Sequence, residues 1–131
     1  AELNEAGIRV SLFIEPDRKA IETAHALGAP VIELHTGTYC EAFAHGDHHR
    51  AAQELARLNE GAAIAGALGL EIHAGHGLDF ATAEKLAEIP EIRELNIGHF
   101  IIGEAIFVGL PKAMAEMRAA INAGRARVGA R

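Results

Sequence analysis

Four short apolar segments punctuate the chain: 7–14 (GIRVSLFI), 30–35 (PVIELH), 69–74 (GLEIHA) and 92–97 (IRELNI). Each mixes β-branched residues with Leu, is bounded by Gly or Pro, and is short, so each is predicted as a buried strand. Helical periodicity fills the gaps. Residues 17–27 place Ala20, Ile21, Ala24 and Leu27 on one face, with Pro16 near the start and Gly28 past the end. Residues 48–68 form a longer amphipathic pattern through Ala52, Leu55, Leu58 and Ala62, closed by Gly69. A short helix is expected over 80–87, stopped by Pro90. After the fourth strand, Pro111 divides an apolar helix over 100–108 from a final helix over 111–123. That last helix is expected to bury Met114, Met117 and Ile121 as core filling. The tail GRARVGAR is basic and glycine-containing; it sets the expectation of one domain over 1–124 and a frayed, disordered end over 125–131.

The resulting order, β-α-β-α-β-α-β-α-α, demands an α/β fold with a parallel sheet and right-handed crossovers. Two architectures fit: a small doubly wound sheet, or half of a TIM (β/α)8 barrel. Three features favour the half-barrel. Polar residues gather at the strands' C-terminal ends (Glu15; Glu33 and His35; His73 and His76; Asn96 and His99), which is the face where barrel enzymes build their sites. A short extra helix after the last strand is a barrel feature that helps to bind phosphate. Four parallel strands alone would also leave two open edges. With Ala1 and no Met at the start, these edges set the expectation of a chain processed or cut from something longer.

Composition narrows the function. Half of the 131 residues are hydrophobic, enough for one packed domain, and aromatics are scarce, which suits close helix-on-sheet packing. A formal net charge of −6 argues against a nucleic-acid surface, which needs clustered Lys and Arg. A small phosphorylated ligand stays open, because one helix N-terminus can hold a phosphate without a basic surface. No run reaches the length of a membrane span and no signal-peptide pattern opens the chain. A single cysteine, Cys40, excludes an internal disulfide and favours a reducing compartment; it reads as an incidental small residue near a loop more readily than as a catalytic thiol.

The chemistry concentrates where two strands run into a Gly–His pair. His76 stands between Gly75 and Gly77, which let the backbone turn sharply and approach a ligand. An imidazole, with an ordinary pKa of ~6.5, exchanges protons near neutrality. Gly98-His99 ends the fourth strand just before a helix, so its backbone N–H groups suit a phosphate. Strand alternation puts Glu33, His35 and Gly37 on one side of the second strand. A carboxylate at a strand centre needs pairing or water, so Glu33 faces a polar interior or pairs with Arg9 or another cation. His35 and His73 read as hydrogen-bonded core or rim residues. His45, Asp47, His48 and His49 resemble a metal site in composition, but Asp47 serves better as a helix N-cap, and no metal site is expected. The glycines of GHGL lack the GxGxxG spacing, so a dinucleotide fold gets little support.

These residues reach a family. GIRVSLFIEPD (7–17), IELHTG (32–37), AGHGLDF (74–80) and above all IPEIRELNIGHFIIGEAIFVGL (89–110) resemble the pyridoxine 5′-phosphate synthases, over nearly the whole chain. The resemblance covers only the C-terminal half of that family's barrel. It implies condensation of 1-deoxy-D-xylulose 5-phosphate with 3-amino-2-oxopropyl phosphate, giving pyridoxine 5′-phosphate, phosphate and water in vitamin B6 biosynthesis, with no metal or organic cofactor. By the same resemblance His76 matches the proton donor, Glu33 a carboxylate that stabilises the transition state, and Gly77, Gly98 and His99 the contacts to the aminoketone phosphate. A cytoplasmic homo-oligomer, an octamer, is implied, with neither nucleic acid nor membrane as partner.

The chain departs from the family pattern at His73, Phe100 and Glu104, where Asn, Ala and Arg are expected. The family's proton-accepting His and Glu, and most contacts to the deoxyxylulose phosphate, fall in the other half of the barrel, so this chain alone is expected to be inactive. The alternative expectation is a non-catalytic phosphate-binding half-barrel that dimerises across its open edges. Another barrel enzyme using the same phosphate site is a third.

Overall fold

The computed structural model describes residues 2–128. Four strands, β1 (Ser11–Ile14), β2 (Val31–His35), β3 (Glu71–Gly75) and β4 (Ile92–Asn96), form one sheet in the order β1-β2-β3-β4. All neighbours are parallel, in the register Phe13↔Glu33, Glu33↔His73 and His73↔Glu94, with an irregularity between Ile72 and His73. Helices α1 (Glu2–Glu5), α2 (Arg18–Ala26), α3 (Gly37–Ala44), α4 (His48–Ala67), α5 (Phe80–Leu86), α6 (His99–Val108) and α7 (Leu110–Val128) complete the described chain. Sequential parallel strands with helical crossovers are the arrangement of half of a (β/α)8 barrel rather than of a doubly wound sheet, whose order reverses.

The sheet has two chemically different faces. Leu12, Ile14, Ile32, Leu34, Ile72 and Ala74 pack beneath the helices, with Ile21 of α2, Leu58 and Ala62 of α4 and Leu86 of α5. A second cluster joins Ala83 of α5, Ile101 of α6, and Ala113 and Met117 of α7. Alternation sends Phe13, Glu33, His35, His73, Glu94 and Asn96 to the other face. This polar face belongs to a barrel interior.

Several details differ from expectation. α3 replaces an expected loop: Thr36 leads directly into it, and Tyr39, Cys40 and Ala42 are buried on its inner side. Cys40 is therefore a core residue. The helix break after α6 falls at Gly109, whose φ is +83°, while Pro111 sits in the first turn of α7, where its missing N–H has no intrahelical role. Met117 is buried as expected, but Met114 is 47% exposed because α7 turns it away from α5. Leu27, at the end of α2, is also exposed.

The tail is not frayed as far as it is described. α7 continues to Val128. Gly124 lies against the Glu84 carbonyl, where a Cβ would collide with backbone. Beyond it, Arg125 Nη2 donates to the Ile92 carbonyl at 2.5 Å, and Arg127 pairs with Glu84 and Glu88. The rest of the expected tail, 129–131, lies outside the described residues.

Candidate functional site

The site is built on side chains of β1 and β2 and on the turns that follow β3 and β4. A cleft of about 720 Å³ opens there, lined by Phe13, Glu33, His76, Gly77, Leu78, Asn96, Ile97, Gly98, His99 and Phe100. All five residues singled out in the sequence, Glu33, His76, Gly77, Gly98 and His99, therefore share one cavity. They come from the middle of β2, the turn after β3 and the start of α6.

His76 owes its position to backbone geometry. Its φ is +82°, a region that side-chain-bearing residues seldom occupy, and Gly77 follows at +83°. Two consecutive left-handed residues reverse the chain at the strand end. Thr36, fully buried, holds the reversal: its Oγ1 donates to the carbonyls of Gly75 at 2.8 Å and His76 at 2.6 Å. Its own N–H also donates to the Gly75 carbonyl at 2.9 Å. Strained conformations of this kind persist where surrounding bonds over-determine them. Downstream, Asp79 caps α5 in a reciprocal capping box with Thr82.

Glu33 reaches across β3. Its Oε2 accepts from Asn96 Nδ2 of β4 at 2.8 Å, and its other oxygen occupies the space where a Cβ at position 75 would stand. Gly75 is thus required for the carboxylate to lie over the third strand. Arg9 is not its partner: it pairs with Glu71 at 2.5 Å. His73 and His35 are both hydrogen-bonded, as expected. His73 Nε2 lies 2.8 Å from Glu71 and its Nδ1 3.4 Å from Glu94; His35 Nδ1 lies 2.6 Å from Glu15. The His73 hydrogen bond, and then Arg9, hold the Glu71 carboxyl below its ordinary value.

Gly98 is the N-cap of α6 and, having no side chain, makes no capping hydrogen bond to that helix start. The first helical bond runs from the Ile102 N–H to the Gly98 carbonyl, so the preceding N–H groups have no intrahelical acceptor. A Cβ built on Gly98 meets nothing within 4 Å; the space above it is open cleft. Phe100 packs edge-to-face on Phe80 at 4.8 Å and forms one wall, whereas Glu104 is not among the lining residues.

Thr36, Asn96, Phe13 and Phe100 carry roles not assigned to them from sequence. The signal for Phe13 was its strand alternation in register with Glu33. For Thr36 nothing local distinguishes a clamp from an ordinary helix-leading threonine. The metal-like cluster dissolves into capping: Asp47 accepts from the Arg50 N–H at 3.0 Å and starts α4. Among the described residues no group of three or more His, Cys, Asp or Glu is placed to hold a metal ion.

Fold and cleft together define half of a (β/α)8 barrel with a polar site at the C-terminal ends of its strands. The chain belongs to the family described as pyridoxal phosphate biosynthesis protein PdxJ, whose model matches residues 1–123. Similar proteins are named pyridoxine 5′-phosphate synthase. That of Xanthobacter autotrophicus is 62% identical over 98% of this chain and 50% of its own length. Those of a Bradyrhizobium and a Caulobacter species are 60% and 58% identical, over 97% and 99% of this chain and 50% and 52% of theirs. The chain thus spans about half the length of the curated relatives it matches.

Proposed function

We propose that this chain forms the C-terminal half of a pyridoxine 5′-phosphate synthase barrel. In this reading it carries part of the site that condenses 1-deoxy-D-xylulose 5-phosphate with 3-amino-2-oxopropyl phosphate. The observation that carries the reading is the convergence of Glu33, His76, Gly77, Gly98 and His99 on one cleft. Ring closure needs repeated proton transfers and the loss of water and phosphate. His76, exposed to the cleft, donates a proton to a departing oxygen. Glu33, oriented by Asn96, offers a fixed negative charge for the cationic character that develops at the amine-bearing carbon. The aminoketone phosphate lies at the start of α6, where the free N–H groups of the first turn and the positive end of the helix dipole favour an anion. Gly98 leaves the backbone open to its oxygens, and Gly77 lines the same cleft.

The remaining bases and the second phosphate site come, in this reading, from the other half of the barrel, and the assembled protein is a cytoplasmic homo-oligomer. No helix among the described residues is long and apolar enough to cross a membrane. The test is phosphate release from the two substrates by this chain and by the longest reading frame that contains it. Turnover by the longer protein alone is expected. Turnover by the short chain would mean that Glu33, His35 and His76 supply every proton transfer. Silence from both would favour a phosphate-binding module without catalysis.

A further inference from the structure

One pair of side chains behind the cleft has no part in the scheme above. His35 ends β2, and its Nδ1 lies 2.6 Å from Oε1 of Glu15, at the end of β1. A carboxylate can only accept, so Nδ1 carries the proton and the ring is fixed in one tautomer and one orientation. The Oε2 of Glu15 lies 3.9 Å from Arg57 of α4, which pairs with Glu54 at 2.6 Å. The fixed imidazole then meets His76 edge-on, with ring centroids 4.9 Å apart. Phe13 closes the other side, 5.1 Å from His35 and 6.3 Å from His76. Space in this trio is tight, because a Cβ at Gly37 would come within 2.7 Å of His35 Nε2 and 3.0 Å of His76 Cδ2.

We propose that His35, held by Glu15, is a positioning residue that fixes the ring of His76 in the cleft. Thr36 clamps the backbone of residue 76 but leaves the direction of its side chain to other contacts. The rings of His35, 4.9 Å away and steeply inclined, and Phe13, 6.3 Å away and tilted, are the ring contacts that restrict it. A proton donor free to swing spends only part of its time aimed at the reacting oxygen, and small misplacements are costly in rate. The role rests on the reading of His76 as proton donor.

The experiment compares Glu15→Ala, Glu15→Gln and His35→Gln in the longest reading frame that contains the chain, using phosphate release. Glu15→Ala and His35→Gln are expected to lower kcat on the order of tenfold, with KM for both substrates changed by less than about twofold. Glu15→Gln should restore most of the rate, because its amide oxygen still accepts from Nδ1–H. Glu15 is exposed, so its truncation leaves the fold intact, which a melting curve verifies. An unchanged kcat in Glu15→Ala, a loss confined to KM, or no rescue by Gln would overturn the proposal. If the parent protein releases no phosphate, the synthase reading fails and a second readout decides this one. The imidazole nitrogen resonances of His76, assigned through His76→Asn, should shift in Glu15→Ala and return in Glu15→Gln. Identical resonances in all three proteins would refute the positioning role.

Discussion

At the end of β3, Gly75-His76-Gly77 is clamped by Thr36, floored by α3 and followed by a capping box at Asp79. At the end of β4, Gly98-His99 has none of these: no side chain caps α6, and the volume above Gly98 is empty. The two turns share a dipeptide and differ in what they satisfy internally. The first spends its hydrogen bonds on holding one imidazole in a strained place, which suits the proton-donor role proposed for it. The second leaves donors unspent at a helix start, which suits the phosphate contact proposed there. α2, α4 and α5 begin at an aspartate cap (Asp17, Asp47 and Asp79), whereas α3, led by Thr36, and α6, led by Gly98, have no side-chain cap; of those two, only the start of α6 lines the cleft.

The largest effect expected from breaking this contrast is at His76. His76→Asn removes the proton while keeping a residue type that tolerates a positive φ. Turnover by the complete protein should fall roughly 10²–10⁴-fold, with little change in melting temperature. Gly98→Val comes next and should act on the other turn alone. Position 98 has an ordinary backbone and open space, so the fold survives, but the side chain fills the approach to the α6 amides. Affinity for the aminoketone phosphate should drop by about tenfold or more in a titration, at unchanged thermal stability. A binding curve identical to the parent's would place the phosphate elsewhere.

Thr36→Val asks how much the clamp is worth. Val keeps the volume and removes a buried hydroxyl that serves two carbonyls, so about 1–3 kcal/mol of stability should be lost in denaturant unfolding. Asp79→Ala removes only the α5 cap and should cost about 1 kcal/mol. If Thr36→Val cost less than Asp79→Ala, the β3 turn would not depend on its clamp.

Much of this was legible in the chain, for reasons that differ by element. The strands announced themselves because each is a short apolar run between Gly or Pro, and their order followed from alternation with helices. Glu33, His76 and Gly98 stood out because carboxylate, imidazole and glycine are chemically conspicuous at strand ends. What could not be read depended on contacts between distant segments. α3 was missed because GTYCEAFA follows β2 with no linker, and its burial is set by the sheet and α4, not by its own periodicity. The helical tail was missed because the bonds that order Arg125 and Arg127 end on Ile92, Glu84 and Glu88. Arg9 was offered to Glu33 on charge alone, whereas strand register brings it to Glu71.

The smallest effect, and the cleanest to measure, concerns the floor beneath the β3 turn. Cys40 of α3 lies under Gly77, where an added Cβ would come within 3.1 Å of it. Burial raises the Cys40 thiol, against weaker opposing hydrogen bonds from Thr36 and Thr82. Burial likewise pushes Tyr39 up to about 12, with the neighbouring Cys40 adding to the shift. Both groups are raised in the folded state, so their contribution to stability is fully present below their ordinary values and is lost as pH rises through the folded ones. Tyr39 is the only tyrosine in the chain, so phenolate absorbance reports this one site. In denaturant it should titrate near the ordinary value of 10.0, and in the folded protein only toward 12 or at alkaline unfolding. No such absorbance has a counterpart beneath Gly98, where the cleft is open. A folded titration near the ordinary value would show that α3 leaves its place under the β3 turn, and with it the support that makes the two Gly–His turns different.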